Sequence, residues 1–199
     1  MGAGSAMMYA CTLPDKVNKL ILIDGIKPIQ VSPCKQPERT AKFLNKMFEF
    51  EKKLQTSPPS YDYNEIVDRM VKSYSYSLTE NSAKIMLKRG SAPKEDGKYS
   101  FTYDPLLKQS NAFSMCHEQQ KAFAEQIKSE ILVLRASKSP LFEDKIYYDD
   151  IIHIFQNKSP NFIFKHIEGT HHLHLNTPEL IVPIISDFLS NNKALVSEL

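Results

Sequence analysis

The densest group of ionisable side chains in this sequence lies between Glu168 and Pro178. This stretch contains His171, His172 and His174, which are three of the six histidines in the chain. An imidazole changes charge near neutral pH, so it can act as a general base, ligate a metal or support a loop by hydrogen bonding. The stretch follows a strand-like run and precedes an amphipathic pattern. It is therefore predicted to be a strand-to-helix loop, where parallel sheets commonly carry their sites.

His171 is the leading candidate for a general base, because it opens the loop after the last predicted strand. In acyl transfer, a histidine takes a proton from the nucleophile and returns it to the leaving group, while an acid orients the ring. The alternatives for His171 are a loop histidine bonded to the backbone and a surface residue. His174 is expected to support the loop by hydrogen bonding. The other histidines, on predicted helices or strands, are interpreted as structural: His117, His153 and His166.

Asp24 is one candidate for the acid that would orient His171. It ends a short apolar run and precedes Gly25, so it is either the acid or a turn residue. Parallel strands present their C-terminal ends at one edge of the sheet. If Asp24 and His171 each follow such a strand, their side chains are expected to meet at that edge.

The other position for an acid is the loop after Leu134. Ser139 stands there, where an acidic residue would be expected. Glu143 and Asp144 come later and are predicted to begin a helix, because acidic side chains favour a helix N-terminus.

No metal and no cofactor are predicted. A pair formed by His174 with His171 or with His172 has the residue type for a metal, but no acidic or cysteine partners follow at ligand spacing. The formal charge of +2 comes from interleaved acidic and basic residues, which does not favour nucleic acid as a partner. No apolar run approaches the ~20 residues that a membrane-spanning helix needs.

The cysteines predict a reducing compartment, and hence a cytoplasmic protein. They are odd in number and far apart in the sequence, without the paired spacing of a metal site or a disulfide framework. They are Cys11, Cys34 and Cys116.

The apolar pattern predicts an α/β protein in three segments. Residues 1–27 combine a helix of small residues with a buried strand, and residues 115–199 alternate helices with strands. Residues 28–114 are instead rich in helices, prolines and polar loops. The strands predict a parallel sheet with right-handed crossovers, interrupted by a helical lid over a small-molecule pocket.

Periodicity and capping signals predict the individual elements. Thr177 is expected to cap the last helix, with Pro178 at its first position and a buried stripe of Ile181, Ile184, Ile185 and Phe188. Helices are predicted over residues 1–13, 40–54, 64–76, 79–90, 117–128, 144–156 and from 177 onward. Extended segments are predicted over residues 20–24, 98–102, 131–134 and 162–167.

The sequence contains no recognisable nucleophile. A nucleophile elbow is Gly-x-Ser-x-Gly between a strand and a helix, and this pentapeptide does not occur here. Ser5 lacks the second glycine at the right spacing and is predicted to lie inside the first helix.

Six segments, taken together in their order, resemble the α/β-hydrolase superfamily and, within it, the serine hydrolase-like proteins. The first is similar to the second half of a nucleophile elbow with its helix, and the next to the following strand. The third and fourth are similar to the end of the family's lid, and the last two to its last two strand ends. The segments are 1–7, 16–24, 87–90, 102–106, 131–136 and 169–174.

The resemblance implies roles for three residues. His171 takes the position of the catalytic histidine, and Asp24 the position of the acid in some relatives, such as haloalkane dehalogenases. Met1 takes the position after the nucleophile, where its backbone amide would belong to the oxyanion hole. The serine would then lie one residue before the sequence begins. The full-length relative would hydrolyse a small apolar or ester-like substrate, and a peroxisomal location becomes an alternative to the cytoplasm.

Two further expectations follow from this interpretation. The 199-residue chain is expected to be an inactive truncated form, because the acyl-enzyme cannot form without the serine. The strand over 20–24 is expected to have an unpaired edge with three or four partly wet apolar side chains, which predicts self-association. The rival interpretation is a non-catalytic binding or scaffold module that holds an apolar ligand or a partner helix in the lid cleft.

Overall fold

The computed structural model describes residues 2–53, 58–104 and 113–190. Two compact units make up the chain. The first consists of Met1–Ile29 with His117–Leu199, and the second of Gln30–Cys116.

The described residues form eight α-helices and five strands. The helices are α1 (Gly2–Thr12), α2 (Gln36–Lys53), α3 (Tyr63–Ser73), α4 (Glu80–Gly90), α5 (His117–Ala124), α6 (Lys145–Lys158), α7 (Leu173–Asn176) and α8 (Val182–Ser190). The strands are β1 (Lys19–Ile23), β2 (Ser91–Pro93), β3 (Tyr99–Phe101), β4 (Glu130–Ala136) and β5 (Phe162–Ile167).

The first unit is built on a parallel sheet in the order β1-β4-β5. Its register places Ile23 beside Leu134, so β1 and β4 end at the same edge. β4 is buried from Ile131 to Ala136, which is why it appears in the sequence as a continuous apolar run. The predicted parallel sheet is therefore confirmed.

Apolar side chains cover the sheet on both faces. On one face, residues of α1, α5 and α6 pack against Leu22 and Val133. On the other face, residues of α7 and α8 pack against Leu132 and Leu134. The core of the first unit therefore has the helix–sheet–helix layering expected of a parallel sheet.

Small residues let α1 approach the loop after β1. A Cβ atom added to Gly4 would lie 3.0 Å from the backbone nitrogen of Pro28, which is tighter than nine in ten real Cβ contacts. Met7 and Ala10, on the same helix, are fully buried. The close packing predicted for this helix is confirmed, and Pro14 begins a short 3-10 turn after it.

The second unit contains α2, α3, α4 and the antiparallel pair β2–β3. Thr79 caps α4 as predicted, since its side chain accepts a hydrogen bond from the Ser82 amide at 3.2 Å. The predicted extended segment is β3, but its partner β2 was not anticipated. Both strands are only three residues long, so periodicity gives little signal for them.

The segment after β5 differs from its prediction. The predicted loop contains the short helix α7, and the last helix does not begin at Pro178. Pro178–Leu180 forms a 3-10 turn instead, and α8 starts at Val182. The predicted stripe is nevertheless correct, because Ile181 and Phe188 are buried.

The expectation of a wet first strand is only partly correct. Leu20 and Leu22 are buried, and only Lys19, Ile21 and Ile23 are half-exposed. The packing of α1 on one face of the sheet explains this difference. None of the helices in the described part of the chain is long and apolar enough to cross a membrane.

Candidate catalytic site

Asp24 lies directly after β1, at the edge where β4 also ends. Its amide donates a hydrogen bond to the Leu134 carbonyl at 2.7 Å, continuing the β1–β4 ladder by one residue. Its φ of 51° is in the left-handed region, which aspartate tolerates better than most residues. The backbone turns here, and the side chain is fully buried.

Asp24 and His171 are joined by a direct hydrogen bond. Asp24 Oδ2 lies 2.6 Å from His171 Nδ1, although 147 positions separate the two residues in the sequence. The carboxylate can only accept this hydrogen bond, so Nδ1 carries a proton, and in the neutral ring Nε2 then presents its lone pair. A carboxylate that orients a histidine in this tautomer is the arrangement found in hydrolytic triads.

The loops after β4 and β5 are bonded to each other beneath His171. The Lys138 amide donates to the carbonyl of Gly169, and Ser137 donates through its hydroxyl to Glu168 at 2.7 Å. Gly169 has a φ of 143°, a conformation that favours glycine. These bonds fix the start of the loop that carries His171.

The His171 ring is partly open to solvent and lies among other aromatic rings. Its side chain is 42% exposed, whereas that of Asp24 is 0% exposed. Phe142 and His172 contact it edge-on, with ring centroids 6.2 and 5.1 Å away. His172 is itself buried. The arrangement leaves Nε2 without a hydrogen-bond partner among the residues described.

A buried arginine completes the surroundings of the acid. Arg135 Nη1 donates to Asp24 Oδ1 at 2.6 Å, and the Ala136 amide donates to the same oxygen at 2.9 Å. The second guanidinium nitrogen, Nη2, donates to the Ser139 carbonyl at 2.6 Å. Oδ1 therefore accepts from Arg135 and Ala136, while Oδ2 accepts from His171.

The pKa of Asp24 lies below its ordinary value. Burial by itself raises the pKa of this carboxyl group. The hydrogen bond from His171, the nearby Ser139 side chain, the Ala136 amide and the Arg135 charge together outweigh burial. The carboxylate is therefore ionised at neutral pH despite its enclosed position.

Ser139 and Glu143 do not take the role of the acid. Ser139 contributes its backbone carbonyl to Arg135, as described above. Glu143 was predicted to begin a helix, but it forms a buried ion pair with Lys27 instead. α6 begins only at Lys145, with Asp144 at the N-cap position and no side-chain capping bond. The prediction failed because a partner distant in sequence determines where Glu143 lies.

Met1, predicted to supply an oxyanion amide, lies outside the described residues. Ser5 lies within α1 as predicted. Within the described ranges, no group of three or more His, Cys, Asp or Glu side chains is placed to hold a metal ion.

The remaining histidines lie apart from the Asp24–His171 pair or at its margin. His117 pairs with Asp150 at 2.7 Å and thereby joins α5 to α6. His166 is exposed on β5. Desolvation and the nearby His171 charge lower the pKa of His174, while the charge of Asp24 opposes them.

Sequence reasoning missed the role of Arg135. A weak signal was present, because a charged residue directly follows the apolar run Ile131–Leu134. The register adds what the sequence lacks: Leu134 is paired with Ile23, so the residues that follow each of them are neighbours. Those residues are Arg135 and Asp24.

Similarity to known proteins extends over nearly the whole chain, although no protein-family model matches it. It is 32% identical over 191 residues to a probable serine hydrolase of Drosophila melanogaster, covering 95% of this chain and 57% of that protein. It is 28% identical over 196 residues to a serine hydrolase-like protein of Danio rerio, covering 95% of this chain and 58% of that protein. The chain thus spans somewhat over half the length of these relatives.

Two solved structures have a similar fold. A hypothetical protein of Pseudomonas aeruginosa matches with a TM-score of 0.77 at 20% identity, over 94% of this chain and 64% of that one. A peroxisomal alpha-beta-hydrolase of Saccharomyces cerevisiae matches with a TM-score of 0.63 at 14% identity, over 99% of this chain and 53% of that one. At these identities the likeness shows the fold alone.

Proposed function

The chain has the fold of the α/β-hydrolases and resembles the serine hydrolase-like proteins, and on this premise we propose that Asp24 and His171 are the acid and the general base of a serine hydrolase. The observation that carries the proposal is the 2.6 Å hydrogen bond between Asp24 Oδ2 and His171 Nδ1. The proposed substrate is a small, ester-like or apolar molecule, as the resemblance implies.

The proposed reaction is hydrolysis through an acyl-enzyme. A serine hydroxyl attacks the carbonyl carbon of the substrate, and His171 Nε2 takes its proton. His171 then returns this proton to the leaving group, and a water molecule, deprotonated in the same way, releases the acid product. Asp24 remains ionised and stabilises the imidazolium that forms in each step.

The nucleophile would be a serine in an elbow, which these 199 residues do not contain. We therefore propose that a protein of these residues alone has negligible turnover. The second unit, Gln30–Cys116, is proposed as the lid. Met1 is proposed as an oxyanion donor, and the cytoplasm or the peroxisome as the location.

A chimera tests the hydrolase proposal. The part of the Drosophila relative that precedes its matched region is fused to this chain, and the product is treated with a fluorophosphonate probe. We expect labelling of one serine, and we expect His171→Ala or Asp24→Asn to slow it about 10³-fold or more, because the serine loses its oriented base. His153→Ala is the matched control, since this exposed histidine lies on α6.

Two outcomes would contradict the proposal. One is persistent labelling in the His171→Ala chimera. The other is a folded chimera that does not react under conditions where the Drosophila relative does, which would favour the binding-module interpretation. The 199-residue chain itself is expected to remain unlabelled.

A further inference from the structure

We propose that Arg135 is a positioning residue for the Asp24–His171 pair, because it fixes the carboxylate so that one oxygen is left for His171. This inference rests on the proposed function. The proposed role of Arg135 is distinct from that of an ordinary structural ion pair. Arg135 does not touch His171 in the described structure; it acts only through Asp24.

The two carboxylate oxygens of Asp24 accept hydrogen bonds from different partners. Oδ1 accepts from Arg135 at 2.6 Å and from the Ala136 amide at 2.9 Å, which fixes the carboxylate from the side of β4. Oδ2 accepts from His171 at 2.6 Å. Rotation of the carboxylate would break the bonds to Oδ1, so the orientation of Oδ2 depends on them.

The guanidinium group is itself held in position. While Nη1 donates to Asp24, Nη2 donates to the Ser139 carbonyl at 2.6 Å. A planar fork satisfies both acceptors at once, whereas a lysine ammonium is a single point of charge on a flexible chain. The loop after β4 thereby contributes to the orientation of Asp24 through Ser139.

The charges involved are buried. The side chains of Asp24 and Arg135 are 0% and 10% exposed, and an unpaired charge in such a place is strongly unfavourable. The other titratable groups that act on this site are Tyr148, whose pKa burial raises to about 12, and His174. Neither carries a positive charge that would replace Arg135 beside Asp24 at neutral pH.

Nuclear magnetic resonance of the 199-residue chain tests the inference without requiring any activity. Two signals are followed: the hydrogen-bonded Nδ1 proton of His171, and the titration of the Asp24 carboxyl carbon. In Arg135→Met the Nδ1 proton signal is expected to broaden or disappear, and the Asp24 titration to move to higher pH. Arg69→Met, at an exposed arginine, is the matched control and is expected to change neither signal.

Arg135→Lys separates charge from geometry. It keeps a cation beside Asp24, so the Asp24 titration is expected to stay close to that of the wild type. The His171 Nδ1 signal is still expected to weaken, because a lysine ammonium on its flexible chain lacks the planar fork that holds Asp24 and Ser139 in a fixed geometry. In an active chimera, this variant is expected to lower kcat by about tenfold or more with little change in KM, since misplaced catalytic groups affect the chemical step.

Specific results would overturn the inference. An unchanged Nδ1 signal in Arg135→Lys means that the fork does not position Asp24, and this holds even if Arg135→Met fails to fold. An unchanged Nδ1 signal in a folded Arg135→Met leads to the same conclusion. An inactive chimera with the predicted spectra would instead reject the hydrolase proposal and leave the role of Arg135 supported.

Discussion

At the scale of single residues, the site depends on which groups donate hydrogen bonds to each of the two carboxylate oxygens of Asp24. Asp24 is buried, and its pKa is nevertheless below the ordinary value, because hydrogen bonds and a cation outweigh burial. Its partners come from two places in the chain: Arg135 and Ala136 at the end of β4, and His171 after β5. The buried charge is thus satisfied on both oxygens.

A pH dependence of stability follows from the lowered pKa of Asp24. Its contribution to the free energy of unfolding is fully present above the unfolded-state pKa, at about pH 4, and is lost as the pH falls through the folded-state pKa. Asp24→Asn is expected to lower the free energy of unfolding by about 3–5 kcal/mol at pH 7, because Arg135 is left unpaired. The difference from the wild type should shrink below about pH 4.

Urea unfolding at several pH values measures this difference. Asp15→Asn is the matched control, because Asp15 forms an exposed ion pair with Lys128 and is expected to contribute less than about 1 kcal/mol. A difference between Asp24→Asn and the wild type that stays constant from neutral to acidic pH would show that the Asp24 charge does not contribute as described.

At the scale of elements, the close approach of α1 to the loop after β1 supports the position of Asp24. Residues 24–29 of this loop belong to the first unit, and the backbone of Pro28 lies against Gly4. The Gln120 amide of α5 donates to the Pro28 carbonyl at 3.1 Å, and Lys27 pairs with Glu143. Two helices and the loop after β4 therefore contact the segment that follows Asp24.

Two glycine substitutions in α1 test this packing. Gly4→Ala places a Cβ atom 3.0 Å from the Pro28 nitrogen, and a backbone atom cannot yield as a flexible side chain can. The free energy of unfolding is expected to fall by about 1–3 kcal/mol. Gly2→Ala meets nothing within 4 Å and is expected to be neutral or to stabilise by at most about 0.5 kcal/mol.

Thermal or chemical unfolding of both variants provides the comparison. Equal effects of the two substitutions would mean that the α1–Pro28 contact does not constrain the fold. Both variants replace glycine by alanine, so they add the same methyl group. The difference between their free energies of unfolding therefore reports on the space around each position.

At the scale of the whole molecule, the edge of the sheet formed by β1 is left without a paired strand. β1 and β5 are the two outer strands in the order β1-β4-β5, and none of the described residues pairs with the free side of β1. Leu20 and Leu22 are buried, whereas Ile21 and Ile23 are half-exposed. Open backbone hydrogen-bonding groups beside apolar side chains favour association between chains.

We expect the purified 199-residue chain to self-associate through β1. Sedimentation at increasing concentration should show oligomers, and Ile21→Lys should shift the population towards monomer, because a charged residue disfavours pairing at an edge. Ile29→Lys introduces the same change at an exposed isoleucine outside the strand and should not. A wild-type chain that stays monomeric at all concentrations, or an equal effect of Ile29→Lys, would contradict this prediction.

The sequence by itself determined the three strands of the parallel sheet and the two central residues of the site. Strands β1, β4 and β5 were predicted because each is a short apolar run, and such a run can be recognised from neighbouring residues alone. Asp24 and His171 were found because Asp24 directly follows one such run and His171 lies in the loop after another, and parallel strands end at one edge. The sequence therefore predicted that these two side chains meet, and the structure confirms this contact. That they act in catalysis stays a prediction.

Only the tertiary structure decided which partners these residues have. Arg135 bonds to Asp24 across 111 positions of sequence, and Glu143 bonds to Lys27 across 116. Neither pairing has a local signature, because each depends on the register between β1 and β4 and on the course of the loops that follow them.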